Sequence, residues 1–191
     1  MRKRLGLTTK EIALISLFSA IWVVSQMSLG ALIGQITHVH GVINRVVGWL
    51  LMFLMVELTD RFGRVTLMAT IAALVTRVLR HSGTLYALSL GLGYALAGLI
   101  FDALIFMKPM RGFRGERRNA YLLLISLVSG VVALLPYIAL KFYTLGLYGF
   151  LIFIPKLAYS LAKGTILSLL GTIIGLSVIP KISEWKRRIQ S

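Results

Sequence analysis

IALISLFSAIWVVSQMSLGALIG, residues 12–34, carries no charged side chain. A run of this length passes the ~20 residues that an α-helix needs to cross a bilayer core. It is also too long for the apolar core of a secretory signal, and no clear cleavage site follows it. It reads as a retained membrane helix. Just before it, Thr8-Thr9-Lys10-Glu11 has the pattern of a capping box, with Thr8 as N-cap and Glu11 reaching back. The first helix is expected at about residues 10–29.

The rest of the chain is built in the same way. Of its 191 residues 58% are hydrophobic, with a mean hydropathy of +0.87, beyond any ordinary soluble domain. Further helices are expected at about 42–58, 65–79, 85–107, 120–142 and 157–179. The third is short for a span and needs a thinned bilayer or protein around it. Asn119 can cap the fifth. The segment YTLGLYGFLIFIP is broken by Gly146, Gly149 and Pro155 and reads as an outer loop or re-entrant piece. Pro180 closes the sixth helix before a basic tail. The fold class is an all-α membrane protein, a single domain over residues 1–191 with six transmembrane helices.

Charge sets the orientation. The net charge of +15 raises the question of nucleic acid, but the basic residues lie between apolar runs and form no basic face. Fifteen of the 21 basic residues fall on the side of the two termini: Arg2, Lys3, Arg4, Lys10, Arg61, Arg64, Lys108, Arg111, Arg114, Arg117, Arg118, Lys181, Lys186, Arg187 and Arg188. The positive-inside rule then places both termini in the cytoplasm. All six acids, Glu11, Glu57, Asp60, Asp102, Glu116 and Glu184, share that half. Glu57 with Arg61 and Asp60 with Arg64 have i,i+4 spacing, and Asp102 can meet a loop arginine. These acids read as structural. The absence of cysteine excludes disulfides and thiolate metal sites.

The outer half is different. It holds Arg45, Arg77, Arg80, Lys141, Lys156 and Lys163 with no carboxylate. Charges at membrane depth are costly and usually functional. Arg80, Lys141 and Lys156 lie close enough to helix ends to reach lipid phosphates, whereas Arg45, Arg77 and Lys163 lie deeper. The stretch QMSLGALIGQITHVHGVINR, residues 26–45, joins the first two apolar segments at this mouth and is rich in Gly, Gln and His. Gln35, His38, His40, Asn44, Arg45, Arg77, Tyr159 and Lys163 are therefore the candidate ligand-binding residues. Arginine forks suit a carboxylate or phosphate, so the ligand is expected to carry an acidic group. His38 and His40, with His81, also invite a metal, but H-x-H alone is a weak signal and no outer carboxylate completes a site. No metal and no cofactor are expected.

Small residues form three stripes: Ala13, Ser16, Ala20; Ala87, Gly91, Ala95, Gly98; and Gly164, Ser168, Gly171, Gly175. Such stripes let helices approach closely in lipid. Either bundle packing or docking to another membrane subunit uses them, and the first stripe, at the cytoplasmic end, is the best docking candidate. No nucleotide-binding loop or hydrolase motif appears, so energy must come from a gradient or a partner.

Size, six helices, inward termini and the small-xxx-small motif Ser16 to Ala20 in SLFSA together resemble the substrate-binding S component of energy-coupling factor transporters. The resemblance covers the whole chain. It implies a non-enzymatic, high-affinity capture subunit of an ABC-type importer for a water-soluble vitamin or related micronutrient. It implies a ligand held in the outer half, under the connection of helices one and two. Its partners would be a transmembrane coupling subunit, which the first-helix motif contacts, and two cytoplasmic ATPases. The family usually has Ala where this chain has Ser16. Metal-type S components begin with a Met-His segment, whereas this chain begins MRKR. One alternative is an intramembrane enzyme acting on a lipid phosphate, with the outer cations as clamp and a histidine as base. Another is a secondary carrier, for which an inverted repeat or midplane acid would be the sign, and neither is found.

Overall fold

The computed structural model describes residues 6–37, 41–59, 61–80, 84–106 and 116–190, and among these every regular element is an α-helix. His38, His40, Asp60 and His81 lie outside the described residues. The helix α1 (Thr9–Met27) starts as its sequence demands. The Thr8 hydroxyl accepts from the Glu11 N–H at 3.3 Å, and the Glu11 carboxylate accepts from the Thr8 N–H at 2.7 Å. The helix breaks at Ser28, whose hydroxyl donates back to the Val24 carbonyl at 2.7 Å.

A second helix follows where a Gly-rich connection was expected. The element α2 (Leu29–Thr37) forms because Leu29, Leu32, Ile33 and Ile36 keep helical spacing, which outweighs the glycines. Four more elements follow: α3 (Val42–Thr59), α4 (Arg64–Leu79), α5 (Leu85–Phe106) and α6 (Glu116–Val132). The last, α7 (Leu135–Gln190), is two helical arms separated at Gly146.

The expected fifth helix does not run unbroken from 120 to 142. It is interrupted at Ala133-Leu134, because Pro136 has no N–H to continue the ladder and instead sits in the first turn of α7. Nor is 143–155 a loop. It is helical on both sides of Gly146, whose φ of 64° and ψ of −179° make a turn that only glycine tolerates. The chain reverses there. Ser126 meets Thr172, Ser168 bonds Ser126, Tyr137 meets Phe153 and Phe142 meets Phe150, the register of an antiparallel helical hairpin. At the far end the helix runs through Pro180 to Gln190 rather than stopping at 179. A proline removes one backbone bond and kinks a helix, and that loss does not force termination here.

The helices form a ring. Around it α1 packs on α4, α4 on α5, α5 on α6, α6 on α7, α7 on α3, and α3 back on α1. Trp49, Met52, Phe53 and Met55 of α3 fill its centre against Met68 and Ala69 of α4 and Phe101 of α5. Close approach makes this possible. A Cβ at Gly98 would sit 2.9 Å from that of Ala69, and one at Gly171 would run into the Val46 carbonyl of α3. The stripes at 87–98 and 164–175 thus serve packing inside the bundle, as their buried positions show.

Outside, the bundle is apolar. Val24, Leu74, Val78, Leu85, Tyr143, Tyr148 and Ile152 are among many large side chains left uncovered. Four helical stretches, Thr9–Ile33, Val42–Thr59, Leu85–Phe106 and Glu116–Val178, are long and apolar enough to cross a membrane. The chain has the make-up of a multi-pass membrane protein.

One end of the bundle gathers the acids, with pairings that differ from the local ones expected. Glu11 takes both Arg64, at 3.2 Å, and Arg61, at 3.4 Å. Glu57 pairs with Arg118 of α6 instead of Arg61. Asp102 accepts from the Thr66 N–H at 2.8 Å and the Thr66 hydroxyl at 2.6 Å, and the loop arginines Arg111 and Arg114 lie outside the described residues. From α5 it therefore caps the start of α4, where the helix dipole favours a negative group. Sequence spacing identifies neighbours on one helix, but these partners lie on others.

Candidate functional site

The opposite end holds the polar groups that packing leaves over. Asn44, near the start of α3, is buried and joins three helices. Its Oδ1 accepts from Trp22 Nε1 of α1 at 2.6 Å, and its Nδ2 donates to the Tyr94 hydroxyl of α5 at 2.7 Å. Trp22 and Trp49 both pack edge-on against the Tyr94 ring, at 5.7 and 6.2 Å. Trp49 in turn donates to Ser129 of α6 at 3.0 Å. Every hydrogen-bonding group in this chain of contacts has a stated partner, which is how a buried polar network becomes rigid. Gly48 makes room for it, since a Cβ there would overlap the Trp22 ring.

Two cavities meet at this network. The inner one, about 10 Å³, has room for one water and is lined by Trp22, Gln26, Asn44, Thr76, Arg77 and Tyr94. The outer one, about 460 Å³, is lined by Gln26, Met27, Gly30, Ala31, Gln35, Gly41, Asn44 and Arg80. Gln26 and Asn44 line both, so the network is the floor of the larger cavity. That volume falls in the range of small-ligand pockets. Among the described residues its lining offers two glutamines, an asparagine and one cation, and no carboxylate. Arg80 is held in place: its Nη2 donates to the Gln26 carbonyl at 2.8 Å, at the frayed end of α1. Its Nε donates to Met27 Sδ at 3.4 Å, which leaves Nη1 and the second Nη2 N–H for an anion.

The chain matches no family model, no curated protein and no solved structure.

The structure brings together only some of the residues singled out from the sequence. Gln35 and Asn44 share the outer cavity, and Arg77 stands in the wall of the inner one. Arg45 points elsewhere. It is buried between α3, α6 and α7, donates to the Gly130 carbonyl at 3.2 Å and lies over Trp49 at 5.7 Å. Gly164 leaves space for its guanidinium. Tyr159 faces outward at 65% exposure, with Lys163 over its ring at 6.0 Å, and neither lines a cavity with Asn44. His38 and His40 are outside the described residues, and among the described residues no group of acids, histidines or cysteines could hold a metal.

Trp22, Arg80 and Tyr94 are not among the ligand-binding candidates read from the sequence, and Gln26 enters there only as the first residue of the 26–45 stretch. Trp22 and Gln26 stand four apart and so share a face of α1, a polar mark on an apolar helix that was legible in principle. Tyr94 follows Gly91 and Gly93, where α5 comes close to its neighbours. Arg80 reads as a helix-end residue, and only the fold shows that it turns inward over α1.

Ala13, Ser16 and Ala20 all face outward from the bundle, beside the equally uncovered Leu17 and Val24. The buried face of α1 is the other one, with Ile15, Phe18, Ser19 and Trp22. Among the described residues nothing covers the first-helix stripe.

Proposed function

We propose that this chain is the substrate-capture subunit of an energy-coupled importer, an S component, for a small water-soluble organic micronutrient with an acidic group. The observation that carries the reading is the outer cavity: pocket-sized, amide-lined, with one positioned arginine and no carboxylate among its described lining residues. An acidic group would sit against Arg80, with the amides of Gln26, Gln35 and Asn44 hydrogen bonding the rest of the molecule. The low-dielectric surround strengthens that attraction.

In this reading the chain makes six passes: α1 with α2, α3, α4, the α5 helix and the two arms of the 116–190 hairpin. Both termini face the cytoplasm of a prokaryotic cell, the acid-rich end lies inside and the cavity opens outward. The protein hydrolyses no ATP itself. Two ATPases bound to a membrane coupling subunit would do so, with that subunit docking on the Ala13, Ser16, Ala20 face.

The test is ligand binding to the purified full chain, screened by thermal stabilisation against acidic, neutral and cationic vitamins. An acidic member should stabilise the wild type. Arg80→Ala should weaken it about 10- to 150-fold, the equivalent of one charge-assisted hydrogen bond. Tight binding of a purely cationic vitamin, unchanged in Arg80→Ala, would overturn the proposal.

A further inference from the structure

The flank between α4 and α5 holds a separate cavity of about 450 Å³. Leu74, Leu88 and Leu92 line it, each more than half exposed on the apolar outer surface of the bundle. Its polar lining is sparse. Thr70 donates to the Thr66 carbonyl and Ser89 to the Tyr86 carbonyl, so both hydroxyls are satisfied within their own helices. Among the described residues Arg77 is the only charged one in the lining.

Arg77 is the anomaly. Its Nε is buried and without a hydrogen-bond partner, and it lies against Gly91, where a Cβ would stand 3.5 Å away. Among the described residues the ion pairs are those of Arg61, Arg64 and Arg118, none of them with Arg77. A guanidinium one turn from the end of α4, beside an apolar groove, is costly unless an anion meets it. The groove opens on the surface that faces lipid, where the abundant anions are phospholipid headgroups.

We propose that the α4–α5 groove is a binding site for an anionic phospholipid, with a phosphate oxygen accepting from Arg77 and an acyl chain lying on Leu74, Leu88 and Leu92. Charge complementarity selects the head, and the apolar walls select a chain. The groove is distinct from the larger solute cavity, whose cation is Arg80; Arg77 also lines the water-sized cavity beneath that one, whereas Leu88 lines neither, so Leu88→Trp tests the groove alone.

The experiment is native mass spectrometry of the full chain, delipidated and then exchanged into phosphatidylcholine vesicles doped with phosphatidylglycerol. The wild type should retain a single phosphatidylglycerol in preference to phosphatidylcholine. Arg77→Ala should reduce that retention roughly tenfold or more, the effect of losing a charged hydrogen bond. Leu88→Trp fills the groove from its exposed side and should reduce it equally with Arg77 intact. Leu88→Trp decides the matter if Arg77→Ala fails to fold, and Arg80→Ala should leave lipid retention unchanged. Equal retention of both lipids by the wild type, undiminished retention in Leu88→Trp, or occupation by a free fatty acid instead would each overturn the proposal.

Discussion

Replacing Asn44 with leucine should test the floor of the cavity. Leucine is close to asparagine in shape and removes both polar atoms. The bonds to Trp22 at 2.6 Å and to Tyr94 at 2.7 Å are then lost. Trp22 keeps a fallback, because the backbone carbonyl of residue 44 lies 3.2 Å from its Nε1. The Tyr94 hydroxyl loses its Asn44 partner outright. Hydrogen bonds between membrane helices average about 0.6 kcal/mol and reach about 1.7, so two lost bonds should cost about 1–3 kcal/mol. That is a sizeable share of the ~5–15 kcal/mol by which a domain is stable. Denaturant unfolding in detergent, followed by tryptophan fluorescence, reads it directly. Gln35→Ala is the control: Gln35 is exposed at the rim, so its stability cost should stay below about 0.5 kcal/mol. Both variants should impair solute binding, and only the first should destabilise. Wild-type stability in Asn44→Leu, or an equal loss in Gln35→Ala, would refute the network as the cavity's support.

Glu11→Ala removes the return bond of the α1 capping box and leaves Arg64, 9% exposed, without its carboxylate; a buried pair broken from one side should cost about 3–5 kcal/mol in denaturant unfolding. Gly146→Val forces a branched residue into a turn with φ of 64° and ψ of −179° and should cost about 1–3 kcal/mol, with the hairpin tip becoming sensitive to protease before the rest of the bundle. Ser16→Trp combined with Ala20→Trp should abolish uptake in cells and leave binding by the purified chain intact. If binding falls with uptake, that face packs inside the chain after all.

The sequence made the helices legible wherever hydrophobic spacing or a cap decides them. The Thr8–Glu11 box and the apolar runs of α1, α3 and α5 stand where they were expected. Spacing describes one helix at a time, however, and so the pairing of helices was not legible. Glu11 lies more than fifty positions before Arg64 in the chain and bonds it, and Glu57 bonds Arg118 of another helix although Arg61 stands four positions away. Arg45 and Arg80 show the same limit in the candidate site. Both are cations at the same end of the bundle, yet one is folded into the α3–α7 contact and the other turns over the end of α1. Pro136 and Gly146 were visible as breakers, but whether a breaker yields a loop, a kink or a hairpin depends on what the flanking arms pack against.

The central claim is that the chain captures a solute for an energised partner. It is tested most directly by native mass spectrometry of the assembly drawn from its own membranes in mild detergent. The account predicts this chain together with a second membrane subunit and two ATPase subunits, and the additional mass of a small acidic organic molecule that Arg80→Ala releases. A chain isolated without ATPases, alone or with copies of itself, and carrying no solute would contradict it.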